Sequence, residues 1–255
     1  MLTTEERMLL VPTAALEWAL EARVEGQGPD VVVLPSFVGP YWTPALDELA
    51  SSFRVHLLRL PGFGDLATPR EARRVLDVAP LLRIALAEAD LLGVSMIGHS
   101  FGGWLAIELA LLAPPEKLVL IDTLGFRIKG EPREDIFDRP RDTVLDLVYA
   151  NRSKAPTNWE AVEDRRNVAS LAKFGWNPYL CDLSLATRAA AISSPTLIVW
   201  GEEDRVVPAT HAGLIAGVIP GARTKLLPAV GHDPLSDDPS GCAAAIRQFL
   251  AGEES

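Results

Sequence analysis

The chain has 255 residues, 48% of them hydrophobic and 23% charged, with a formal net charge of −10 at pH 7. That length and composition fit one compact domain with a large core and room for an inserted subdomain. The acidic balance argues against nucleic-acid or anionic-membrane partners, which need a basic footprint, and no run of 18 apolar residues suggests a membrane span. The first residues (Met1-Leu2-Thr3-Thr4-Glu5-Glu6-Arg7) lack the basic-then-apolar order of a signal peptide. Cys181 and Cys242 are too few for a disulfide framework, and no cluster has zinc spacing. Buried thiols in a cytoplasmic protein are expected.

Residues before Asp30, such as Trp18 to Val24, are expected to supply antiparallel edge strands. From Asp30 onward, strand-like and helix-like segments alternate. Val31-Val32-Val33-Leu34 is a continuous apolar run, as in a strand covered on both faces. Helical spacing follows over 44–53, a strand over 55–60, the breaker cluster Pro61-Gly62-Phe63-Gly64, and an amphipathic helix over 75–92. A strand at 95–97, a helix at 104–112 and a buried strand around Leu118-Val119-Leu120-Ile121 come next. The rhythm then breaks over residues 124–187, which are charged yet carry many aromatics and helical pieces at 143–149 and 160–174. It resumes with a strand over 195–200, a helix over 211–218, a strand over 225–227 and a helix over 240–250. The expectation is an α/β fold with a mostly parallel central sheet and helices on both faces. Its core would comprise residues 1–124 and 188–255, with a helical cap at 125–187.

The chemistry concentrates in Gly98-His99-Ser100-Phe101-Gly102-Gly103, at the junction of a strand and a helix. A serine at such a sharp turn is held in a strained conformation with its hydroxyl clear of the sheet edge, and the flanking glycines allow the close backbone approach. Serine needs a base in hydrogen-bond reach, itself oriented by a third group. Of the four histidines, His56 lies within a strand, His99 within the turn, and His211 within a helical pattern. His232 follows an apolar strand and Gly231, in a strand-end loop of the kind where open α/β sheets place their sites, and it is the candidate base. Asp204, in Gly201-Glu202-Glu203-Asp204-Arg205, is the preferred orienting acid, and Asp122 at the end of the preceding strand is its rival. Glu202 and Glu203 read as solvated loop charges.

The motifs around Ser100, Asp204 and His232, in that order, resemble the α/β-hydrolase superfamily over nearly the whole chain. The resemblance implies an oxyanion hole with the Phe101 amide as one donor. The second would come from the loop after 31–34, on the Phe37 amide, where Pro35-Ser36 replaces the His-Gly of many relatives and leaves Ser36 as a loop cap or a substrate contact. A further departure is Arg59, where relatives usually carry Asp. The cap aromatics Phe126, Tyr149, Trp159, Phe174 and Trp176, joined by Trp42 and Tyr41, would form an apolar pocket over Ser100. Trp104 reads as core.

The implied activity is hydrolysis of a small, largely apolar carboxylic ester or lactone through an acyl-enzyme on Ser100, with no cofactor or metal. One alternative is a C–C bond hydrolase of aromatic ring-cleavage products. Arg165-Arg166-Asn167 and Gly175-Trp176-Asn177-Pro178 suggest it, while Asp233 stands where those enzymes commonly carry Trp. An alternative from another class is a small-molecule-binding protein on the same fold. Oligomeric state is not encoded in these patterns.

Overall fold

The computed structural model describes residues 5–10, 19–64, 66–69, 72–131, 133–155 and 161–253, with backbone alone at 5–10, 19–20 and 161–164. Among these, eight strands form one sheet: β1 (Glu5–Leu10), β2 (Ala19–Glu25), β3 (Asp30–Leu34), β4 (Arg54–Leu58), β5 (Ser95–His99), β6 (Leu118–Ile121), β7 (Thr196–Gly201) and β8 (Arg223–Leu227). The order across the sheet is β1-β2-β4-β3-β5-β6-β7-β8. The β1–β2 and β2–β4 pairs are antiparallel and the remaining pairs are parallel. The antiparallel edge strands expected before Asp30 are β1 and β2, with β1 outermost; Trp18 falls outside the described residues. The helices are α1 (Pro44–Ala50), α2 (Val75–Glu88), α3 (Phe101–Leu112), α4 (Arg141–Val148), α5 (Ala161–Gly175), α6 (Leu185–Ala189), α7 (Thr210–Val218), α8 (Pro234–Asp237) and α9 (Pro239–Ala251).

Strand β3 sits between β4 and β5, so the chain leaves it first to one side and then to the other. Such a switch point opens a crevice at the carboxyl ends of the strands, and that is where Ser100 and the loop after β3 lie. Side chains alternate across the central strands as the period of two requires. Val32, Leu34, Leu58, Leu120 and Trp200 belong to the layer that holds Leu82, Leu105 and Ile215 of α2, α3 and α7. Val31, Val33, Val55, Val119 and Val199 belong to the opposite layer, with Leu46 and Leu49 of α1 and Ile246 of α9. Covering on both faces is why these strands read as unbroken apolar runs. Helix α2 stops at Glu88, short of the expected residue 92, and Asp90 then adopts a left-handed conformation at φ 57°.

Between β6 and β7 the chain inserts α4, α5 and α6, whose Leu145, Val148, Leu171, Phe174 and Leu185 join the first core layer. The expected boundary at residue 187 falls inside α6, so that helix belongs to the insertion and the return at once. Two links tie the insertion down. Gly125 exchanges backbone hydrogen bonds with Leu180 and Asp182, at 3.1 and 2.9 Å. Arg188 donates to both carboxylate oxygens of Glu108 on α3 and, at 2.7 Å, to Asp182. Glu108 is buried, so Arg188→Ala strands its charge. The expected cost is about 2–3 kcal/mol, less than for a fully buried pair because Arg188 is part-exposed, read as a lowered urea midpoint. Arg188→Ala combined with Glu108→Leu should regain most of that loss.

Candidate active site

Ser100 lies between β5 and α3 with φ 55° and ψ −115°, a region that residues with a side chain rarely adopt. Backbone bonds on both sides hold it: its amide donates to Ile121 at 2.8 Å, and its carbonyl accepts from Leu124 at 3.0 Å. The turn closes because two neighbours lack side chains. A Cβ on Gly98 would stand 2.6 Å from the Gly102 carbonyl oxygen, and one on Gly102 would stand 2.2 Å from the Leu34 carbonyl oxygen.

The Ser100 hydroxyl donates to His232 Nε2 at 2.8 Å, and His232 Nδ1 donates to Asp204 Oδ2 at 2.7 Å. The other carboxylate oxygen of Asp204 accepts from the Val206 and Val207 amides, both at 2.8 Å, which fixes the carboxylate plane. Ser100 and His232 have no exposed surface and Asp204 is buried. Asp122 bonds elsewhere: its Oδ1 accepts from the Gly201 amide at 3.0 Å.

His232 is anchored through its own backbone. Its carbonyl accepts from His99 Nε2 at 2.7 Å, and its amide donates to the Val148 carbonyl at 2.7 Å. Burial holds the His99 ring below the usual histidine range, partly offset by the Asp233 charge, so the neutral ring acts as the donor. Asp237 accepts from the amides of Gly231 and Ala150 at 2.9 and 2.8 Å, joining the histidine loop to the end of α4. The two remaining histidines are held away from the site. His56 pairs with Asp30 at 2.6 Å, and His211 sits between Arg133 and the Pro208 carbonyl.

The loop after β3 is drawn onto the elbow by a bond from the Gly102 amide to the Pro35 carbonyl, 3.1 Å long. Among the described residues, the Phe37 and Phe101 amides donate to no carbonyl or side chain. The Phe37 ring lies 6.1 Å from the His232 ring. Ser36 caps this loop, its Oγ accepting from the Val38 amide at 3.1 Å.

The aromatics expected over Ser100 divide. Phe174 stacks on Phe101 at 5.7 Å, directly above the elbow, with Phe63 on Phe101 at 5.0 Å. Phe126 and Tyr149 are fully buried in the core layer. Burial, with Asp233 nearby, pushes the Tyr149 phenol far above its ordinary range, so it stays protonated. Trp42 is turned away: its indole donates to Asp47 at 2.7 Å, Arg23 covers its ring, and it packs against the layer of α1 and α9. Trp176 is 63% exposed and stacks on Phe137 at 5.4 Å. Trp159 lies outside the described residues. A cavity of 510 Å³ has Phe37 and Val38 on one side and Val144, Leu145, Val168 and Trp176 of the insertion on the other.

Two further residues hold the site together. Asn167 on α5 is buried, donates to the Val38 carbonyl at 3.0 Å and accepts from the Gly64 amide at 2.7 Å. One turn on, Ser170 donates to the Gly62 carbonyl. Together they bind α5 to both loops flanking the elbow. Their spacing of three, on the helix face that also carries Leu171 and Phe174, is the signal that a sequence reading could use.

Residues 31–245 match the model of a family described as the alpha/beta hydrolase family. A pimeloyl-[acyl-carrier protein] methyl ester esterase of Aeromonas hydrophila is 27% identical over 88% of this chain and 96% of its own. A solved putative lipase of Acinetobacter baumannii superposes with a TM-score of 0.82 at 20% identity, covering 98% of this chain and 91% of that one. A 2-hydroxy-6-oxo-6-phenylhexa-2,4-dienoate hydrolase of Rhodococcus superposes with a TM-score of 0.75 at 20% identity, covering 98% and 100%. Asn167→Ala leaves the Gly64 amide without its acceptor in a buried position. The expected destabilisation is about 1–3 kcal/mol, measured by chemical denaturation.

Proposed function

Because the chain belongs to the alpha/beta hydrolase family, we propose that it is a serine hydrolase cleaving a small, largely apolar carboxylic ester or lactone through an acyl-enzyme on Ser100. The observation that carries this reading is the unbroken chain of short hydrogen bonds from Ser100 Oγ through His232 to Asp204, inside a buried site. Esterase relatives support the reaction class.

The steps follow from the geometry. His232 Nε2 takes the hydroxyl proton as Ser100 Oγ attacks the substrate carbonyl. Asp204 keeps the other ring nitrogen protonated and stabilises the imidazolium that forms. The amides of Phe101, at the amino end of α3, and of Phe37 receive the oxyanion; a single such donor is worth about 2.7–4 kcal/mol. His232 then protonates the leaving alkoxide. In the second half it takes a proton from water, whose oxygen attacks the acyl carbon and frees Ser100.

Residues 125–187 serve as the cap in this reading. The 510 Å³ cavity at Phe37 is lined mostly by apolar side chains and accommodates the acyl or alcohol group. Ser100 has no exposed surface, so substrate reaches it only when the contacts around Phe37 and Phe174 part.

The test is an activity profile over p-nitrophenyl esters of graded chain length, lactones and a dienoic ring-cleavage analogue, with fluorophosphonate labelling alongside. Ester or lactone turnover and stoichiometric labelling are expected, both lost in Ser100→Ala. Turnover of the dienoic analogue alone would shift the reading to C–C hydrolysis, and labelling without turnover on any substrate would shift it to ligand binding. Asp204→Asn is expected to lower kcat by about 10⁴-fold with the fold intact, because His232 is no longer held in the required tautomer. On the acid side, kcat/KM is expected to fall about ten-fold per pH unit, since one base must be neutral.

A further inference from the structure

Asp122 and Asp204 follow neighbouring parallel strands, β6 and β7, whose register pairs Ile121 with Val199. Asp122 takes a left-handed conformation at φ 42° and has no exposed surface. Its Oδ1 accepts from the Gly201 amide, while its buried Oδ2 receives, among the described residues, from no amide, hydroxyl or cation. One oxygen of each acid and one ring nitrogen of His232 lie within 4.8 Å of one another. His232 Nδ1 carries the proton given to Asp204, so its lone pair is not offered to a metal.

Two ionised carboxylates cannot share a buried space of this size; one proton has to be held between them. The hydrogen bonds decide which acid holds it. Asp204 receives three N–H donors, from Val206, Val207 and His232, and Asp122 receives one. A carboxylate with three donors is the better anion. We propose that Asp122 is a positioning residue: it remains protonated and donates its Oδ2 proton to the Asp204 carboxylate, so that the pair beside His232 carries a single negative charge. This rests on the reading of Asp204 and His232 as orienting acid and base. The fourth donor draws charge on Asp204 away from the imidazole. The imidazolium is then not over-stabilised against giving up its proton to the leaving group.

Burial first, and then the facing Asp204 charge, push the Asp122 carboxyl well above the usual carboxylate range. Among the described residues, the other titratable groups that act on it or feel its charge are Asp233 on the loop after β8 and Cys242 on α9. Asp233 opposes ionisation of Asp122, and burial pushes the Cys242 thiol up as well.

The test is the titration of the His232 ring, followed by ¹H–¹⁵N NMR in the full chain and assigned with His232→Gln. Asn at position 122 reproduces a protonated Asp: its oxygen accepts from Gly201 and its amide donates to Asp204. Asp122→Asn is therefore expected to leave the His232 midpoint where the parent has it. Were Asp122 ionised in the parent, the same variant would remove a charge at roughly 5 Å and lower the midpoint by about two pH units, which overturns the proposal. Asp122→Ala removes the donor and is expected to raise the midpoint by about half a pH unit or more and to lower kcat with little change in KM; Asp122→Asn rescues both. An unmoved midpoint in Asp122→Ala also overturns it. The titration does not depend on turnover, so loss of ester hydrolysis in the parent would count against the serine hydrolase reading alone.

Discussion

The carbonyl oxygen of Leu34 occupies the place that a side chain at position 102 would need. That contact sets how closely α3 lies against β3, and the rest of the site follows from it. With the helix start pressed onto the sheet edge, Ser100 has to turn through a left-handed conformation to enter the helix. Such a conformation persists only where surrounding bonds over-determine it. Here Ile121, Leu124, Gly103 and Trp104 all bond the Ser100 backbone. The same proximity brings the Pro35 carbonyl to Gly102, which fixes the loop carrying Phe37 relative to the nucleophile.

Around this scaffold the polar groups are buried yet paired largely through backbone. Asp204 is set by two amides, His232 by the Val148 carbonyl that receives its amide, and His99 by the carbonyl of His232. Backbone partners cannot rotate away as side chains can, so the positions are set before any substrate arrives. In a dry site each of these dipoles acts more strongly than it would in water. It also makes unpaired charge intolerable, which is why the crowding of Asp122 against Asp204 has a protonation state as its consequence.

The sheet was legible because strands covered on both faces leave unbroken apolar runs, as at Val31–Leu34 and Leu118–Ile121. Ser100, Asp204 and His232 were within reach because each sits in a strand-end loop with local turn chemistry. Asp122 and Asp204 present themselves in sequence as rivals for one role, and only three dimensions place them side by side. Trp42 is adjacent in sequence to the loop after β3, but the chain has by then crossed to the layer of α1, a change of face that composition does not record. Trp176 lines the cavity beside Phe37 while most of its own surface faces solvent. Asn167 falls in the run Arg165-Arg166-Asn167 that suggests a C–C hydrolase, but its bonds to the two loops, like that of Ser170, show only once those loops are in place.

The amide of His232 and those of Gly231 and Ala150 are tied together across Val148 and Asp237, so the His232 loop and the end of α4 form a single unit. The insertion is therefore not an interchangeable lid. A chimera that grafts a relative's helical segment onto this sheet has to keep the native backbone path through residues 148–150, or the imidazole loses its register with Ser100. Sequence drift is correspondingly channelled into exposed positions of α5 such as Arg165 and Arg166, which leave the path through 148–150 and the bonds of Asn167 and Ser170 in place.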